Sequence, residues 1–183
     1  MLRVLIGRHR SASSWSRIVL RDISRALKLD VLTIFAEEQY ADYPSLGDMV
    51  REKNPDCLVL TNATRSHVET LPSEARIVHL FRDPRDIVTS GYFSHRNDHP
   101  VEIDGVKWPE LVGHRENLLQ LDRSSGMMAE IEFSGYFLDH MLEWNWEASD
   151  VLEVKMEELV VDSIPQWRRI LEYLELAPDE TQR

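Results

Sequence analysis

The chain has 183 residues, which is long enough to bury the core of one domain. Its formal net charge of −11 argues against general nucleic-acid binding, because such binding needs a basic face to neutralise phosphates. No apolar run approaches the roughly 20 residues of a membrane helix, and the N-terminus lacks the features of a signal peptide. The single cysteine, Cys57, has no partner for an intrachain disulfide, so we expect a cytoplasmic protein.

Short apolar strands alternate with helices along the chain. Strands are predicted at residues 3–7, 31–35, 57–61, 76–81 and 151–156. Helices are predicted at residues 14–28, 127–146 and 164–174, with another beginning at Pro84. Residues 44–53 are predicted to form a helix or a turn, with Ser45 as the candidate N-cap. Residues 97–125 are polar and punctuated by proline and glycine, so irregular structure is predicted there. Alternation of this kind predicts a three-layer α/β/α fold with a central parallel sheet, in one domain over residues 1–183.

The loop between the first strand and the first helix has the composition of an anion site. Free backbone N–H groups and the positive end of the helix dipole both favour an anion at such a position. Residues 11–14 read Ser-Ala-Ser-Ser, so their small side chains allow close approach and three hydroxyls can donate. The loop does not match that of nucleotide triphosphatases, because Ser13 stands where their lysine is needed and the cation comes earlier, at Arg10. A serine-rich turn without a ligand is the alternative interpretation.

A second motif surrounds the end of the fourth predicted strand. Arg82 emerges at the strand end, where open α/β sheets bind ligands, and Pro84 opens the helix that carries Ser90 two turns along. Arginine as a bidentate donor and serine as a hydroxyl donor can converge on one phosphate. The alternative is a surface ion pair between arginine and aspartate, which would contribute little.

Taken together, these segments resemble the sulfotransferases that use 3′-phosphoadenosine 5′-phosphosulfate (PAPS). Residues 10–15 are similar to the family's 5′-phosphosulfate loop, and residues 77–90 are similar to its 3′-phosphate element. Residues 65–67 with Leu71 and Pro72 look like the segment that presents the catalytic histidine. Residues 151–162 resemble the strand and Glu-Leu segment near the end of the domain. The resemblance implies a fold like that of the P-loop nucleotide triphosphatases.

The resemblance also implies a donor site that holds PAPS, and the product 3′-phosphoadenosine 5′-phosphate (PAP), without a metal. Its members would be Arg10 for the sulfuryl oxygens, Ser11, Ala12, Ser13 and Ser14 for the 5′-phosphate, Trp15 for adenine, and Arg82 with Ser90 for the 3′-phosphate. In-line transfer to a hydroxyl or amine would use His67 as general base. Some branches of the family use a glutamate after the first helix, and Glu37 or Glu38 could occupy that place.

The sequence departs from the family pattern at points that leave alternatives open. Ala12 replaces the loop glycine, so a positive φ there would cost energy. The sequence ends at Arg183, before the basic segment that closes over the 3′-phosphate in many relatives. The alternatives to an active enzyme are therefore a non-catalytic PAPS- or PAP-binding module, a truncated sulfotransferase or, less favoured, a P-loop kinase. We expect a small-molecule or glycan-like acceptor, bound in a pocket lined by residues 93–128. We also predict His79 to be a core residue.

Overall fold

The structure is a computed structural model that describes residues 1–177. Its strands are β1 (Arg3–Gly7), β2 (Val31–Ile34), β3 (Cys57–Thr61), β4 (Arg76–Phe81), β5 (Glu102–Ile103), β6 (Val106–Lys107) and β7 (Val151–Lys155). Its helices are α1 (Ser13–Ala26), α2 (Leu46–Lys53), α3 (Arg65–Glu69), α4 (Pro84–Asn97), α5 (Pro109–Gln120), α6 (Arg123–Leu142), α7 (Met156–Val161) and α8 (Ser163–Tyr173), with a 3₁₀ turn at Glu37–Tyr40. Among the described residues, none of these helices has the length and apolar character needed to cross a membrane.

The described residues divide into two compact units. The first contains residues 1–82 together with the chain from residue 143, and the second contains residues 83–142. The strands of the first unit form a five-stranded sheet in the order β2-β3-β1-β4-β7, with every pairing parallel. This confirms the predicted fold class, whereas the single domain over residues 1–183 stays a prediction.

The sheet of the first unit is buried on both faces, as its continuous apolar strands require. Side chains alternate across a strand, so Val4 and Ile6 join one core cluster and Leu5 joins the other. The first cluster includes Trp144 and residues of α2 and α3, and we call this side of the sheet the α3 face. The second includes Leu20 of α1 and residues of α7 and α8, and we call it the α1 face.

The ends of several helices follow from local sequence. Ser45 caps α2 as predicted, because its hydroxyl oxygen accepts a hydrogen bond from the backbone N–H of Asp48 at 3.1 Å. Pro84 occupies the first turn of α4, and the Asp83 side chain accepts from the N–H of Arg85 at 2.9 Å. The predicted helices at 14–28 and 164–174 are confirmed to within two residues.

The second unit contains α4, α5 and α6 and the short β5–β6 hairpin. The prediction of irregular structure over residues 97–125 was wrong, because α5 spans Pro109–Gln120 and α6 already begins at Arg123. Pro109 starts α5 instead of breaking it, as proline commonly does in a first helical turn. The buried positions of α5 are Leu111, His114 and Leu118, so a histidine interrupts the apolar stripe that would have revealed the helix.

Candidate active site

The loop after β1 turns sharply into α1 and leaves the helix N-terminus without a side-chain cap. Arg10 and Ala12 both adopt positive φ, at 57° and 63°, so the expected cost of alanine at the glycine position is present. Ala12 is the N-cap residue of α1, and its side chain makes no capping hydrogen bond. Gly7 permits the close approach of the first turn, because a Cβ on it would collide with Ser13. An N-terminus of this kind presents backbone N–H groups to an anion.

The serines of the loop do not all face the same way. Ser11 is fully buried, and its hydroxyl hydrogen-bonds the backbone oxygens of Arg8 at 2.6 Å and Leu80 at 3.0 Å. It therefore ties the loop to β4 and does not offer its hydroxyl to a ligand in this conformation. Ser13 is half-buried and Ser14 is exposed in the first turn of α1, the positions predicted for 5′-phosphate contacts.

Arg82 extends from the end of β4 to the loop. Its Nη1 donates to the backbone oxygen of Arg10 at 3.2 Å, and its Nε lies 3.5 Å from a carboxylate oxygen of Glu157. The structure therefore brings together Arg10 and Arg82, which the sequence predicted for opposite ends of the donor. Ser90 is half-buried on α4 in the second unit, and its contact with the 3′-phosphate stays a prediction.

Trp15, predicted to pack against adenine, lies on the first turn of α1. Its side chain is 39% exposed, which leaves indole surface for a ligand. It packs edge-on against Trp167 of α8, with 5.9 Å between the ring centroids. Both belong to the first unit, on the helices that cover the α1 face.

The candidate bases His67 and Glu37 are in contact. His67 is the third residue of α3 and belongs to a capping box, in which its Nδ1 accepts from the backbone N–H of Thr64 at 3.0 Å. Its Nε2 lies 3.1 Å from a carboxylate oxygen of Glu37 and 3.0 Å from the hydroxyl of Tyr40. A backbone N–H can only donate, so Nδ1 must be the acceptor nitrogen and Nε2 must carry the proton. Glu38 is exposed beside this group.

A row of polar side chains crosses three neighbouring strands on the α3 face, with Arg8 and His79 fully buried and Glu153 half-buried. Arg8 follows β1, and its Nε donates to His79 Nε2 on β4 at 2.8 Å. His79 Nδ1 lies 2.6 Å from a carboxylate oxygen of Glu153 on β7, whose other oxygen accepts from Trp144 Nε1 at 2.8 Å. Burial lowers the pKa of Arg8 to about 10, so the guanidinium remains protonated at neutral pH. Burial also lowers the pKa of His79, in keeping with its role as a neutral acceptor for Arg8.

The sequence did not reveal this row as a unit. His79 was predicted to be a core residue, and its full burial agrees with that prediction. Arg8 is one of several basic residues at the loop, and no role was predicted for it from the sequence. In the parallel register, Ile6 of β1, two residues before Arg8, pairs with His79 of β4, and His79 pairs with Glu153 of β7. Only this register places the side chains of Arg8, His79 and Glu153 in line.

The second unit contains a buried carboxylate with two histidine partners. His95 Nδ1 lies 3.0 Å and His114 Nε2 lies 2.8 Å from oxygens of Glu130, and the Ser134 hydroxyl donates to it at 2.7 Å. Burial favours the neutral acid, but the hydrogen bonds from His95, His114 and Ser134 and the electrostatic interaction with His95 outweigh it and hold the pKa of Glu130 below its usual value. The donor atoms of His95, His114 and Glu130 all lie within 4.8 Å of one another, as metal ligands would. The expectation that no metal is required therefore stays a prediction.

Comparison with known proteins agrees with this fold. A model of the sulfotransferase domain matches residues 7–183. A crystal structure of the mouse sulfotransferase SULT7A1 complexed with PAP superimposes with a TM-score of 0.57 at 17% sequence identity, covering 99% of this chain and 60% of that one. The chain thus spans about three fifths of the length of the mouse protein.

Weaker structural likenesses extend to two further proteins. A retinol dehydratase in complex with androsterone and inactive cofactor PAP has a TM-score of 0.44 at 15% identity, covering 98% of this chain and 61% of that one. An uncharacterized protein from Eubacterium ventriosum has a TM-score of 0.44 at 13% identity, covering 96% and 99% of the two chains. A sequence search among curated proteins finds no match. The domain match spans nearly the whole chain, and the chain therefore belongs to the sulfotransferase family.

Proposed function

We propose that this chain binds PAPS and transfers its sulfuryl group to a hydroxyl or amine of an acceptor. The observation that carries the proposal is the uncapped N-terminus of α1 beside a loop whose backbone is held by Arg82. Backbone N–H groups, the hydroxyls of Ser13 and Ser14, and two arginines would supply the donors that a doubly phosphorylated nucleotide needs. The prediction of a cytoplasmic location stays a prediction.

In the proposed reaction, the bond between sulfur and the 5′-phosphate oxygen of PAPS breaks as the acceptor oxygen or nitrogen bonds to sulfur. The leaving group is PAP, and the acceptor gives its proton to a base. Arg10 would stabilise the charge that develops on the leaving phosphate, because a fixed cation does this without transferring a proton. The remaining contribution is in-line positioning of donor and acceptor.

We further propose that Glu37 and His67 act as a pair, with Glu37 as the proton acceptor. The hydrogen bond from Thr64 N–H to Nδ1 leaves the His67 proton on Nε2, which points at Glu37. With this tautomer His67 can donate to the carboxylate and orient it, but it has no free lone pair on Nε2. His67 as the base itself remains the alternative, and it requires the capping hydrogen bond to break.

A variant series separates these two assignments. His67→Gln keeps a side chain suited to the third position of a capping box but removes the imidazole. If Glu37 is the base, Glu37→Gln should lower kcat about 10²–10⁴-fold, whereas Glu38→Gln should change kcat little. His67→Gln should lower kcat less than Glu37→Gln does. A loss confined to His67→Gln would assign the base to the histidine.

The donor assignment is tested by calorimetric titration of PAP and adenosine monophosphate (AMP). Wild type should bind PAP more tightly than AMP. Arg82→Ala should weaken PAP on the order of 10- to 100-fold and weaken AMP less, because AMP lacks the 3′-phosphate and loses only the support that Arg82 gives to the loop. Arg85→Ala is the matched control, since Arg85 is exposed and pairs with its neighbour Asp83. A folded wild-type protein that binds no PAP would refute the assignment.

A second candidate is a binding module that holds PAPS or PAP without turnover. It is favoured by the tautomer of His67, which leaves the base predicted from the sequence without a free lone pair on Nε2 in this conformation. PAP binding without acceptor-dependent release of PAP from PAPS would identify such a module. A kinase activity is disfavoured by Ser13 at the position of the required lysine, and magnesium-dependent hydrolysis of ATP would revive it.

A further inference from the structure

Arg8 carries a buried positive charge that is only partly satisfied. Its side chain is 1% exposed, yet among residues 1–177 neither Nη1 nor Nη2 has a hydrogen-bond partner. Buried polar groups without partners are rare in folded proteins, and a buried charge without them is costly. Such a group indicates a ligand whose acceptor atoms would take the hydrogen bonds that Nη1 and Nη2 do not make within the protein.

The surrounding residues hold the guanidinium in one orientation. Its Nε is committed to His79, which Glu153 in turn holds, and its Cζ lies over the Trp144 ring, 4.8 Å from the centroid. Stacking on an aromatic ring uses the face of the guanidinium and leaves its in-plane N–H groups available. The free edge therefore presents Nη1 and Nη2 side by side, the arrangement that binds a carboxylate through two parallel hydrogen bonds.

The position of Arg8 in the sheet distinguishes an acceptor contact from a donor contact. Side-chain alternation along β1 places Arg8 on the same face as Val4 and Ile6, and its contact with Trp144 agrees with this. This is the α3 face, which is covered by the helix that carries His67. The loop proposed for the donor leads instead into α1, which covers the opposite face. Arg8 thus shares its side of the sheet with the proposed base pair.

We propose that Arg8 is the binding residue for a carboxylate on the acceptor, so that the substrates are small hydroxy or amino compounds that carry an acid group. This inference rests on the proposed sulfotransferase function and names its substrate class. His79 and Glu153 are positioning residues, which fix the guanidinium without touching the acceptor. The sulfuryl and phosphate groups of the donor are the other possible oxyanions, and the experiment below separates them from the acceptor.

The test uses benzoate as the probe and benzamide as its uncharged counterpart of nearly the same shape. Each is titrated at pH 7 into the wild-type protein, with and without PAP, and binding is followed by the midpoint of thermal unfolding and by calorimetry. Benzoate should bind more tightly than benzamide. Arg8→Met and Arg8→Gln should each weaken benzoate on the order of 10- to 100-fold and leave benzamide and PAP unchanged. Equal binding of the two probes by wild type, or benzoate binding retained in both variants, overturns the proposal.

Two further readouts exclude other roles for Arg8. If the guanidinium served the donor, Arg8→Gln would weaken PAP in the titration that tests Arg82. If it served only the fold, Arg8→Met would lower the thermal midpoint through loss of the buried hydrogen bond to His79 and leave benzoate affinity unchanged, whereas the acceptor role requires the folded variant to lose benzoate affinity. Weakened PAP binding, or unchanged benzoate affinity, contradicts the acceptor assignment. A wild type that binds benzoate through Arg8 but not PAP would refute the sulfotransferase function and not the carboxylate site.

Discussion

Ala12 gives a direct measure of the strain in the loop after β1. Its φ of 63° and ψ of 18° place it in the left-handed region, where a Cβ costs about 1–2 kcal/mol. Glycine at this position removes that cost, but it also makes the unfolded chain more flexible, which offsets about 0.4–1 kcal/mol. We therefore expect Ala12→Gly to raise the free energy of unfolding by about 0.5–1 kcal/mol.

The assay is urea unfolding followed by tryptophan fluorescence, because Trp15 lies three residues after the substitution. Ala26→Gly is the matched control: it makes the same chemical change at an exposed residue of α1 and should lower the free energy of unfolding by up to about 1 kcal/mol. The two variants should thus shift the urea midpoint in opposite directions. A loss of stability in Ala12→Gly as large as that in the control would refute the left-handed conformation and the strain derived from it.

Three predictions concern other parts of the chain. Glu130→Ala should lower the free energy of unfolding by about 3 kcal/mol, because His95 and His114 lose their buried acceptor, and a change below about 1 kcal/mol in urea unfolding would contradict this. Because the folded-state pKa of Glu130 is depressed, its stabilisation should be complete above the unfolded value of about 4.3 and be lost as the pH falls through the folded value. The stability difference between wild type and Glu130→Ala, measured at pH 7, 5 and 3.5, should therefore shrink only at the lowest pH, and a difference that does not shrink there would be inconsistent with a depressed pKa. Ser45→Ala should cost about 1 kcal/mol through loss of the α2 cap, whereas the exposed Ser73→Ala should change stability by less than about 0.5 kcal/mol; equal effects would argue against the cap.

Local sequence was sufficient where a single element carries its own signal. The apolar runs at β1, β3 and β4 have the predicted bounds, and α4 begins at Pro84 as predicted. The loop lies between a strand and a helix as predicted, and its role as an anion site stays a prediction. Helix α5 was missed because Pro109 was taken as a break and because His114 occupies a buried position in the apolar stripe.

The sequence alone determined the fold class and the family, because strand and helix periodicity and the eight-residue spacing from Arg82 to Ser90 are local patterns. Only the tertiary structure decided which residues meet. The strand order β1-β4-β7 unites Arg8, His79 and Glu153, of which His79 lies 71 residues from Arg8 and 74 from Glu153 along the chain. The same is true of Glu37 and His67, where a capping hydrogen bond assigns the imidazole proton to Nε2. Partners so distant in sequence leave no periodic signal, because their contact depends on the order and register in which parallel strands pair.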